Sequence, residues 1–160
     1  MGGIFVKIDW KKLLIALGIP LAAGGLSALL SGGMAQYRTM NQPPLSPPGW
    51  VFPVVWTVLY LLMGYASYLV WISDKPQNEK RGALILYGAQ LAANFIWPLL
   101  FFKAQMYLTA LIWLVVLWVL IFLTIRTFSK INERAGDLLI PYILWVTFAA
   151  YLNLGIYLLN

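Results

Sequence analysis

Residues 51–72 read VFPVVWTVLYLLMGYASYLVWI, a stretch without one charged side chain. A helix rises about 1.5 Å per residue, so a segment of this length can cross the ~30 Å hydrocarbon core of a bilayer. Four further stretches have the same character: roughly Leu13–Ser31, Ala83–Phe102, Met106–Phe128 and Leu138–Leu159. None carries an Asp, Glu or Lys in its interior, and Arg126 sits near an end. Backbone groups in lipid must be satisfied within the segment, so each is expected to be a helix; the alternation of a barrel strand is not seen. The predicted fold is all-α: one domain over residues 1–160, built as an integral membrane bundle of five transmembrane helices.

Composition agrees. Of 160 residues, 62% are hydrophobic and 10% charged, against about 45–50% apolar and about 25% charged in a soluble domain. So few charges cannot coat a soluble surface. The chain contains neither Cys nor His, which excludes disulfides, thiolate metal sites, cysteine nucleophiles and imidazole bases or ligands. The spans hold no acidic, lysine or histidine relay of the kind ion-coupled transporters use. A serine hydrolase lacks its histidine partner, and no glycine loop has phosphate-binding spacing. No cofactor is expected.

Basic residues fall on one side. The amino terminus has Lys7, Lys11 and Lys12, the second loop Lys75, Lys80 and Arg81, and the fourth Arg126, Lys130 and Arg134; only Arg38 and Lys103 lie opposite. Nine against two is a positive-inside bias that predicts a cytoplasmic amino terminus. The net charge of +6 then reads as topology and contact with anionic lipid, with no nucleic-acid partner. Three lysines before an apolar run resemble a secretory leader, but the run is too long for one, and the first span is expected to be retained. A lysine-rich, Arg-free start favours a bacterial plasma membrane over mitochondria. The loop over residues 32–49 holds Pro43, Pro44, Pro47 and Pro48 and is expected to act either as a semi-rigid lid or as a plain connector.

The spans are rich in aromatic rings: 8 Trp, 9 Tyr and 8 Phe. Trp10, Trp50 and Trp71 fall at span ends and suit the interfacial belt. Others recur at helical spacing: Trp56, Tyr60 and Met63 or Gly64 in the second span; Tyr87, Gln90, Asn94 and Trp97 in the third; Tyr142, Trp145, Ala149, Leu152 and Asn153 in the fifth. Two amides in lipid need partners, so the third-span face points inward. Much of this set lies in the half beneath the proline-rich loop. That suits a pocket for a flat apolar ligand with a few polar edges; helix-on-helix packing would give the same periodicity.

At these residues the chain resembles the TspO/MBR family. PPGWVFPVVWTVLYLLMGYASYLVW (Pro47–Trp71), GAQLAANFIWPLLFF (Gly88–Phe102) and LLIPYILWVTFAAYLNLGIY (Leu138–Tyr157) are similar, in order, to its second, third and fifth spans. The resemblance implies a receptor, sensor or carrier that binds porphyrins such as protoporphyrin IX and drug-like hydrophobic molecules. It implies ligand contacts at Tyr37, Trp56, Tyr60, Asn94, Trp97, Trp145, Ala149 and Leu152, with Ser27 a weaker correspondence. With only Tyr or Met to ligate iron, metal-free porphyrin is favoured over haem. Light- and oxygen-dependent porphyrin degradation is the enzymatic alternative, and a helix-bundle interaction protein the third. Homodimers of the family pack a small-xxx-small face of the third span; Ile85 occupies one small position here, and Gly88/Ala92 and Ala89/Ala93 offer alternatives for a homodimer face. The family's sterol-recognition pattern needs an aromatic residue followed by a basic one near the carboxyl end, and here no basic residue follows Tyr157.

Overall fold

A computed structural model describes residues 7–32 and 35–160, which leaves residues 33 and 34 of the first loop outside the described residues. Among the described residues every regular element is helical: α1 (Trp10–Ser31), α2 (Val51–Trp71), α3 (Gln77–Pro98), α4 (Tyr107–Ile131), the short α5 (Glu133–Asp137) and α6 (Ile140–Leu159). Five helical stretches, counting α5 with α6, are long and apolar enough to cross a membrane.

The ends follow local chemistry. Asp9 caps α1 by accepting from the Lys12 amide at 3.2 Å, and Gly32 closes it with φ +84°, a left-handed conformation that favours glycine. Asn132 caps α5, accepting from Arg134 N at 2.9 Å. Leu138 and Leu139 then turn the chain, and Pro141 occupies the first turn of α6, where its missing N–H is not needed. The fifth hydrophobic stretch is therefore one helix that starts two residues late, with α5 standing before it. The third departs from a plain α-helix at Pro98, where a five-residue π-helical turn, Leu99–Lys103, continues it.

Inside lipid the helices are held by packing rather than by a contrast between apolar core and polar surface. α1 lies tightly on α2, α3 on α4, and α4 on α6, while α1 meets α3 more lightly. The α1–α2 contact rests on Gly64: a Cβ there would stand 2.7 Å from the Ala16 carbonyl oxygen and 2.8 Å from Leu17 Cα. The core runs through Met63, Ala66 and Val70 of α2, Leu117 and Ile121 of α4, and Tyr142 and Val146 of α6. Leu14, Leu29, Ile85, Ile112, Leu144 and Leu158 face outward, as a bilayer permits. Trp10 and Trp50 are exposed at span ends, and the Lys12 ammonium stands 5.5 Å from the centre of the Trp71 ring.

On α3, Gly88, Ala89 and Ala92 are exposed on the outer face. Ala93 is not. It is buried against α4, where its carbonyl accepts from the Trp113 indole at 2.8 Å. One residue is about 100° of helix, which separates Ala92 outside from Ala93 inside and removes Ala93 from the expected dimer face.

The first loop crosses the end of the bundle and is tied there. A short 3-10 turn, Tyr37–Thr39, carries the buried Tyr37, whose hydroxyl donates to the Pro47 carbonyl at 2.9 Å. Tyr151 donates to the Pro44 carbonyl at 2.6 Å, and Asn41 and Asn160 bond reciprocally. Pro43 sits directly on Gly155 of α6, where a Cβ would come within 2.5 Å of its ring.

Candidate functional site

Beneath the loop lies a cavity of about 180 Å³. All nine residues singled out in the sequence line it. Ser27 comes from α1, Tyr37 from the loop, Trp56 and Tyr60 from α2, Asn94 and Trp97 from α3, and Trp145, Ala149 and Leu152 from α6. The inward stripes of three helices thus converge with one loop side chain. Ala149 is buried and small, which leaves room between α6 and the α2 rings.

The walls are aromatic. Trp56 stacks on Tyr60, ring centres 5.5 Å apart and planes at 29°. Trp97 stacks on Phe101 at 4.9 Å. Tyr37 meets Phe52 edge-on at 4.9 Å, and Phe52 meets Trp145 at 5.8 Å. Faces and edges of this kind match the quadrupole of a flat π-system.

Polar groups form a chain across the floor. Tyr60 donates to Asn94 Oδ1 at 2.8 Å, Asn94 Nδ2 donates to the Tyr142 hydroxyl at 2.7 Å, and Tyr142 donates to Gln90 Oε1 at 2.6 Å. Both ends of the Asn94 amide are therefore engaged, and the residue expected to offer a free polar edge is committed to its neighbours. Ser27 is also committed, donating to the Phe95 carbonyl at 2.7 Å and joining α1 to α3. The Trp97 indole donates to Asn153 Oδ1 at 3.1 Å. Among the described residues, the Trp145 Nε1 and the Tyr87 hydroxyl are the buried side-chain polar atoms without a partner. Burial raises the Tyr37 phenol above its ordinary range, so it remains a donor to Pro47 through neutral and moderately alkaline conditions.

Sequence reading missed several wall residues. Phe52, Phe101 and Phe102 line the cavity, yet an aromatic ring in a span carries no mark that separates cavity from belt. The π turn matters for the last two, because its extra residue per turn rotates side chains off an α-helical stripe. Gly24 also lines it, and a Cβ there would run into the Tyr60 ring. Tyr142 stood in the fifth-span stripe, but its place at the centre of the hydrogen-bond chain depends on three helices meeting.

The family model of the TspO/MBR family matches residues 16–159. The chain is 37% identical over 150 residues to the tryptophan-rich protein TspO of Chlorobaculum tepidum, covering 92% of this chain and 95% of that one. It is 37% identical over 156 residues to the tryptophan-rich sensory protein of Cereibacter sphaeroides, covering 97% and 95%. To the translocator protein of Ovis aries it is 35% identical over 130 residues, covering 81% and 77%. With five membrane-length helices and these relatives along most of its length, the chain is a multi-pass membrane protein that belongs to the TspO/MBR family.

Proposed function

We propose that the protein is a membrane receptor, sensor or carrier that takes a porphyrin such as protoporphyrin IX, or a similarly flat hydrophobic molecule, into the cavity beneath its first loop. One observation carries this reading: the residues that the family resemblance marks for ligand contact all line a single apolar cavity with aromatic walls and a small-residue gap at Ala149. Names of relatives, sensory protein and translocator protein, agree with a receptor or carrier role. Stacking on Trp56 and Trp97 would supply most of the contact. Nine basic residues on the loops of one side support an amino terminus in the cytoplasm, and a bacterial plasma membrane is the setting we favour. The test is a titration of intrinsic tryptophan fluorescence with protoporphyrin IX in detergent. Saturable quenching at micromolar ligand is expected; quenching that never saturates would refute the reading.

The stacked Trp56–Tyr60 pair favours one second reading. Oxidisable rings against an excited porphyrin could exchange electrons with it and, with oxygen, promote its degradation. Under illumination, decay of the porphyrin band should then slow in Trp56→Phe and Trp145→Phe; equal decay in all three proteins would leave only free-ligand photochemistry.

A further inference from the structure

One side chain, Trp145, is shared between the cavity and a groove on the lipid-facing surface. Trp145 lines the cavity on its inner side and, on its outer side, a groove between α2 and α6 with Val54, Val58, Leu144 and Phe148. Val54, Val58 and Leu144 are 55%, 50% and 63% exposed, and every residue along the groove is apolar. The groove lies within two membrane-length helices, so acyl chains cover it.

This seam is also loosely packed. The backbones of α2 and α6 stay apart, whereas α1–α2, α3–α4 and α4–α6 pack closely. Side-chain hydrogen bonds of α2 run within the helix, to α3, or to the start of α1, and among the described residues none crosses to α6. The seam is filled instead by edge-on ring contacts, Phe52–Trp145 at 5.8 Å and Trp56–Tyr142 at 6.3 Å. The Trp145 indole N–H has no partner, so no polar bond anchors the ring, and its apolar contacts can be replaced by lipid or ligand. The opposite boundary of the cavity, the first loop, is tied down by Tyr37, Asn41 and Tyr151.

Size calls for a wall that yields. The cavity, about 180 Å³, falls below the ~300–1,000 Å³ that holds a drug-sized ligand. Behind Trp145 lies the apolar, lipid-facing groove, whereas the loop above the cavity is tied to the bundle. We infer that the α2–α6 seam is a lateral portal, gated by Trp145, through which a flat apolar ligand dissolved in the bilayer reaches the cavity. This rests on the ligand-binding reading above and adds the route to it.

The experiment fills the groove from outside. Val58 and Leu144 line the groove but not the cavity, so Val58→Trp and Leu144→Trp each obstruct the portal from a different helix without touching bound ligand. A third variant locks the loop. Because the chain has no cysteine, Asn41→Cys/Asn160→Cys gives a single possible disulfide, placed where the loop and the end of α6 already bond to each other. Transfer of protoporphyrin IX between phosphatidylcholine vesicles and reconstituted protein is followed by porphyrin emission. Expected are association and dissociation each slowed at least tenfold in both groove variants, with Kd within twofold of wild type, and wild-type rates in the locked loop. Wild-type rates in both groove variants, or slowing confined to the locked loop, would overturn the portal and leave binding standing. Absence of saturable binding by wild type would overturn the binding reading and the portal with it.

Discussion

Ala149 sets the width of the cavity between α6 and the α2 rings, and enlarging it to Leu is the sharpest perturbation available. The side chain is buried and lines the cavity. Leu adds three carbons to a space of about 180 Å³. They would displace a comparable number of ligand atoms, worth ~0.3 kcal/mol each for a drug-sized ligand. Forcing a ring past them adds part of the ~1–3 kcal/mol that overpacking costs. A total near 2 kcal/mol corresponds to about a thirtyfold loss of affinity. Leu is a strong helix former, so folded protein should be recovered at wild-type yield. The control is Ala150→Leu, one residue on and about 100° around the helix, which does not line the cavity and should bind within threefold of wild type. Both are measured by fluorescence titration with protoporphyrin IX in the same detergent. If Ala149→Leu bound like wild type, the ligand would not pass between α6 and α2.

Tyr142→Phe removes the centre of the floor chain and leaves Asn94 Nδ2 and Gln90 Oε1 without partners; at ~1–3 kcal/mol per buried orphan, a clear fall in apparent unfolding temperature is expected by scanning fluorimetry, and an unchanged value would show the chain to be dispensable. Gly64→Ala should destabilise the bundle, because the new Cβ meets α1 backbone that cannot give way, while Gly25→Ala, with nothing within 4 Å, should be neutral or stabilising by up to ~1 kcal/mol; equal thermal shifts would contradict the α1–α2 contact. Gly155→Leu pushes against Pro43 and should release the first loop, seen as faster proteolysis within residues 35–50; unchanged cleavage would mean that the loop is held elsewhere.

Much of this architecture is written in hydropathy, since a stretch such as residues 51–72 has few alternatives to a membrane helix. What hydropathy does not carry is how a span is interrupted or where it starts. The π turn after Pro98 and the Leu138–Leu139 turn before α6 depend on how freed backbone groups are re-satisfied by neighbours, which no single-residue scale records. Stripes at Trp56/Tyr60, Asn94/Trp97 and Trp145/Ala149 lead to one cavity because three-to-four-residue spacing fixes a face. Phe101 and Phe102 escape that logic since the π turn changes the spacing itself. Ala92 and Ala93 show the finer limit: both are small, and only the packed position of α4 decides which one is inside. The engagement of both ends of Asn94 also needed three dimensions, because its partners Tyr60 and Tyr142 come from other helices.

The central claim, that a porphyrin occupies the aromatic cavity, is tested most directly by the indole N–H signals of the 8 tryptophans in a ¹⁵N-resolved NMR titration with protoporphyrin IX. A porphyrin ring current shifts nearby protons strongly and distant ones hardly at all. Trp56, Trp97 and Trp145 line the cavity; Trp10, Trp50, Trp71, Trp113 and Trp118 do not. The expected result is large, saturable shifts confined to the first three. Shifts confined to the other five, with Trp56, Trp97 and Trp145 unmoved, would put the ligand outside the cavity and contradict the claim.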